Sequence, residues 1–159
     1  MRAFNISLII ICFLIFFACE PREEFSPIPY VSFKSISAPY SFDSSTIRLN
    51  ATDLVFEFRD GDSDFGVDTT KSPKEKNLFI YPFYKVDGIY DSTGASRYNR
   101  FYSISENTKL NRNGALKGEI KVQITYLLKP PYDTIRYEFY IVDRAGNKSN
   151  TGVTRDFVW

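Results

Sequence analysis

Apolar and polar residues alternate with a period of two along several stretches of this chain, and that period belongs to strands with one buried face. Leu54, Phe56 and Phe58 alternate with Val55, Glu57 and Arg59. Ile120, Val122, Ile124 and Tyr126 do so with Lys121, Gln123 and Thr125, and Ile135, Tyr137, Phe139 and Ile141 repeat the pattern. Further strands are expected at 30–36, 47–49, 78–86 and 98–104, with a last one from Ser149 to Trp159 that puts Val153, Phe157 and Trp159 on one face. Residues 37–45 read as a serine-rich loop. Pro82 inside the 78–86 run lacks a ladder donor, so it is expected at an edge or bulge. Asp87-Gly88, Asn111 to Gly114, and Asp143-Arg144-Ala145-Gly146-Asn147 read as turns. No segment has helical periodicity. About seven short strands divided by turns predict an all-β fold, a single antiparallel sandwich.

The N-terminus departs from this pattern. Met1-Arg2 is followed by an apolar run from Ile6 to Phe17, broken only by Ser7. About 12 residues suits the core of a signal peptide. A membrane-spanning helix needs roughly 20. Phe16-Phe17-Ala18-Cys19 closes the run, and Glu20 ends it. Small Ala18 before Cys19 resembles the bacterial lipobox, in which the cysteine is lipidated and becomes the mature N-terminus. Phe16 and Phe17 stand where that pattern prefers Leu and a small or β-branched residue. The resemblance implies a leader over 1–18, a lipid-bearing Cys19 with a linker over 19–29, and one domain over 30–159. An uncleaved N-terminal anchor and a plain secreted protein are the alternatives. Several acyl chains on one cysteine suffice for stable attachment to a membrane. The linker contains Pro21, Pro27 and Pro29 and reaches at most about 40 Å when extended. Its Glu20, Glu23 and Glu24 resemble the acidic signal that places some lipoproteins on the outer face of the outer membrane; a solvated linker would read the same.

Composition narrows the function. Without the leader, nineteen basic and nineteen acidic residues remain. A neutral chain with no basic run is a poor nucleic-acid binder, because that affinity rests on phosphate neutralisation. Histidine is absent. That removes the usual general base, the commonest transition-metal ligand and the Ser-His-Asp and Cys-His sets. Glu57, Glu119 and Glu138 lie on strands with no sign of a shared cleft, and no enzyme is expected. The cysteines are Cys12 and Cys19 alone, so the mature domain holds no internal disulfide.

Tyr137-Glu138-Phe139-Tyr140-Ile141-Val142-Asp143-Arg144-Ala145-Gly146-Asn147-Lys148-Ser149 resembles the penultimate strand, turn and last strand of bacterial immunoglobulin-like domains. Those often carry an Asp-x-Ala-Gly-Asn turn, with Gly146 here at its positive-φ position. With the leader, the chain is similar to small immunoglobulin-like surface lipoproteins. That resemblance implies a fold and a location and little chemistry.

One stretch has chemistry of its own. Asp60, Asp62 and Asp64 alternate in a glycine-containing loop, and Asp68 follows. Clustered carboxylates suit a hard cation such as Ca²⁺, which takes six to eight oxygens. The loop is similar to Asp-x-Asp-x-Asp calcium loops. It is not an EF-hand, since Phe65 holds the sixth position and Lys71 the twelfth. A solvated acidic turn is the alternative. Tyr81, Tyr84, Tyr90, Tyr98 and Tyr102 suggest a second partner, a glycan on an aromatic platform, although most aromatics in a small sandwich belong to its core.

Overall fold

The computed structural model describes residues 25–159 apart from Pro73, Gly94, 107–114, Lys129 and Pro131. The leader, Cys19, the Glu20, Glu23 and Glu24 cluster and the Asn111 to Gly114 turn lie outside the described residues.

Two antiparallel sheets face each other, with no α-helix among the described residues. The strands are β1 (Tyr30–Ile36), β2 (Tyr40–Ser44), β3 (Ile47–Asp60), β4 (Leu78–Val86), β5 (Ile89–Asp91), β6 (Arg100–Tyr102), β7 (Leu116–Tyr126), β8 (Thr134–Ile141), β9 (Gly152–Val153) and β10 (Phe157–Val158). In the first sheet β3 is central. It pairs with β7 from Asn50↔Tyr126 to Asp60↔Leu116. Its other edge is shared end to end by β1 and β2. In the second sheet β4 and β8 form the central pair, from Leu78↔Ile141 to Tyr84↔Ile135. β9 and β10 line the far edge of β8, and β6 and β5 line the far edge of β4.

The alternation predicts the core directly. Leu54, Phe56, Val122, Ile124 and Tyr126 of the first sheet meet Leu78, Ile80, Ile135, Phe139 and Ile141 of the second. The Phe56 and Phe139 rings pack at 4.9 Å between centroids. Tyr126 and Tyr137 cross the sandwich and satisfy each other's hydroxyls at 2.9 Å. Desolvation pushes both phenols well above their ordinary pKa, so both are neutral and can share one hydrogen bond.

Several expectations are corrected. Residues 40–44 form β2 rather than part of a loop; its side chains are mostly exposed, so no burial pattern marks it. The separate strands expected at 47–49 and 54–59 are one 14-residue strand, because Ala51 and Thr52 are buried within the polar stretch between them. The final segment is two short strands. Arg155 and Asp156 are both exposed and invert its parity, so Thr154 and Phe157 point inward while Val153 points outward. Residues 98–104 contain only the short β6, preceded by a 3-10 turn at Ser96–Tyr98. Pro82 lies mid-strand with Tyr137 opposite it in an unbroken register. Its other side falls in the gap between β6, whose first residue Arg100 lies opposite Ile80, and β5, whose last residue Asp91 lies opposite Tyr84. That local edge accommodates the missing donor.

Candidate metal centre

Asp60 is the last residue of β3 and keeps the inward register of Leu54, Phe56 and Phe58. It is fully buried, a carboxylate where an apolar side chain would otherwise close the sandwich. Its Oδ2 accepts the Phe65 amide at 2.8 Å, which folds the loop back on the strand end. Phe65 then packs against Phe58 at 5.0 Å and pins the loop to the core. Ser63 at φ +60° and Gly66 at φ +105° supply the left-handed turns. Gly66 also lies so close to Glu106 that a Cβ would come within 2.6 Å of the Glu106 Cα.

This geometry brings one carboxylate oxygen each of Asp60, Asp62 and Asp64 within 4.8 Å of one another. Asp62 is exposed and Asp64 half-buried. Asp60 Oδ1 and Asp64 Oδ1 are buried and have no hydrogen-bond partner among the described residues. Burial raises the pKa of Asp60 to about 6, and Asp62 and Asp64 push it the same way, while the Phe65 amide opposes them. Asp64 is raised by burial and then by Asp143 and Asp62. Buried acceptors that are unpaired, mutually repulsive and reluctant to ionise are costly alone, and a bound cation relieves all three costs. An all-oxygen set favours a hard ion, Ca²⁺ or Mg²⁺, over a transition metal.

Asp68 does not join the trio. Its Oδ1 accepts the Thr70 amide at 3.0 Å, and its other oxygen pairs with Lys71 at 3.0 Å. Those donors, led by the Thr70 hydroxyl, hold its pKa well below the carboxylate range. It closes its own turn.

Two distant segments complete the loop's surroundings. The Ala145 amide donates to Asp64 Oδ2 at 3.0 Å. Ala145 belongs to the turn after β8, whose Asp143 accepts from the amide and side chain of Asn147, with Gly146 at φ +86°. At the other end, the Gly61 amide donates to the Ser26 carbonyl at 2.9 Å. A Cβ on Gly61 would stand 2.2 Å from the Phe25 carbonyl oxygen, so only glycine fits. Neither contact follows from local spacing, since both join segments remote in sequence.

Family models, curated proteins and solved structures give no match to this chain.

The five tyrosines of the expected platform divide. Tyr84 is buried in the core. Tyr98 and Tyr102 pack against it. Tyr81 and Tyr90 lie on the outer face of the second sheet. Tyr140 from β8 joins them there, opposite Phe79 in the register. Parity marks Tyr84 as inward, in phase with Leu78 and Ile80, and Tyr140 as outward, out of phase with Phe139.

Proposed function

We propose that this protein is a non-enzymatic, lipid-anchored module of the bacterial outer membrane, built on an immunoglobulin-like sandwich whose 60–64 loop is organised by calcium. The metal reading rests on one observation: two buried, unpartnered carboxylate oxygens converge with a third carboxylate. The immunoglobulin-like reading is supported by strand order, with β1, β3 and β7 in one sheet and β8, β4 and their flanking strands in the other. The anchor is supported by Ala18-Cys19 after its apolar run, and surface placement by the acidic residues that follow. The role of such a module is adhesion, assembly with an envelope complex or presentation of a binding surface.

Thermal melts of the full chain in EDTA and in millimolar calcium test the metal. A ligand at 100 times its Kd stabilises by about 2.7 kcal/mol, several degrees for a domain of this size. The rise is expected in the wild type and absent in Asp62→Asn, which changes an exposed side chain. Equal melts in both buffers would leave the loop a solvated turn. Labelling with radioactive palmitate tests the anchor separately: incorporation is expected in the wild type and absent in Cys19→Ser.

A further inference from the structure

The outer face of the second sheet carries a cleft of about 320 Å³, remote from the aspartate trio in sequence. That lies at the small end of the roughly 300–1,000 Å³ typical of small-ligand sites. Its floor is the outward side of β4 and β8, where Tyr81 and Tyr140 stand with Glu138. The two phenol hydroxyls lie 3.3 Å apart. One carboxylate oxygen of Glu138 is held by Arg136 at 2.9 Å. The segment between β5 and β6 raises one wall, with Ser92, Ser96 and Asn99. The segment after the Asp143 turn raises the other, with Lys148 and Thr151.

The walls are polar and uncommitted. No side chain of Ser92, Ser96, Asn99 or Thr151 forms a hydrogen bond with another described residue. Lys148 places its ammonium 3.8 Å from the centre of the Tyr140 ring and forms no ion pair among the described residues. Two walls of free donors and acceptors therefore face each other across an aromatic floor. The ring faces are largely taken: Tyr140 stacks on Phe79 at 5.0 Å and lies near-parallel to Tyr81. The floor thus offers ring edges and phenol oxygens, and recognition falls to the hydroxyl and amide groups above it.

We propose that this cleft binds a saccharide. A hydroxyl-rich ring supplies alternating donors and acceptors on its rim, matching two walls of the same kind and the phenol oxygens of the floor. A polyphosphate would require more than one unpaired cation, and among the described residues Lys148 is the only one lining the cleft, because Arg136 beneath is paired with Glu138. The site is independent of the metal reading and of the lipid.

The full chain, purified in a sugar-free detergent, would be tested on an array of neutral and uronate-containing bacterial and plant glycans. Binding to at least one glycan class is expected, falling at least tenfold in Ser96→Ala/Asn99→Ala on one wall and in Thr151→Ala on the other. Lys34→Ala, on the opposite sheet, is expected to bind as the wild type does. All four proteins would be melted first, so that a loss of fold is separated from a loss of binding. No glycan held by the folded wild type, or binding that survives both wall variants, would overturn the proposal.

Discussion

The amide of Ala145 reaches Oδ2 of Asp64 across 81 residues of sequence, joining the aspartate loop to the turn that follows β8. Asp64 is thus both a candidate metal ligand and the clasp between two loops. Asp64→Asn keeps an acceptor for Ala145 and removes the charge that Asp62 and Asp143 oppose. In EDTA the variant is expected to melt a few degrees higher than the wild type. In calcium it is expected to gain little, so the order of the two proteins reverses. Scanning calorimetry in both buffers reads the crossing directly, and a variant that responds fully to calcium would remove Asp64 from the ligand set.

Protonation offers a second handle on the same site. The folded pKa of Asp60 is about 6, against an ordinary 3.8. Between these values the folded state holds a proton that the unfolded chain lacks, so stability rises as pH falls through 6. The gain is complete below the ordinary value and lost as pH rises past the folded one. Groups with depressed values, Asp68 and Asp156 among them, remain ionised in this window and do not mask it. In EDTA the melting point is expected to be higher at pH 5 than at pH 7.5, by a few degrees. In calcium the difference should shrink or invert, because proton and metal compete for the same oxygens. Asp60→Asn should reduce the slope of the EDTA profile, leaving the share contributed by Asp64, which is also raised.

The tyrosine pair inside the sandwich depends on one shared hydrogen bond. Tyr137→Phe leaves the Tyr126 hydroxyl buried beside no partner, which costs about 1–3 kcal/mol. Replacing both tyrosines with Phe removes donor and acceptor together and should cost less than the sum of the two single changes. A double-mutant cycle by urea denaturation measures the coupling. Strict additivity would mean that the two hydroxyls do not depend on each other.

Most of the fold was legible because its strands bury one face. The alternation in β4, β7 and β8 shows which residues point inward with no reference to partners. The same rule also held information that the expected motifs obscured. Asp60 reads as the start of an acidic loop, yet it is in phase with Phe58 and so belongs to the core. Tyr84 looks like part of a tyrosine-rich surface, yet it is in phase with Ile80. What resisted reading lacks a buried face or depends on contacts between remote segments. β2 is nearly all exposed. β9 and β10 are too short to show a period, and a parity break separates them. Asp68 differs from its neighbours only because Thr70 and Lys71 satisfy it, and alternate spacing cannot reveal that.

The contact of Gly61 with Phe25 and Ser26 bears on how the domain stands over a surface. If Cys19 carries the lipid, five residues separate it from Phe25, a leash of roughly 20 Å at full stretch. The aspartate loop then hangs at the foot of the molecule, within reach of the headgroup layer and its cations. A cation held by the trio would then sit beside the point where the chain from Cys19 joins the domain.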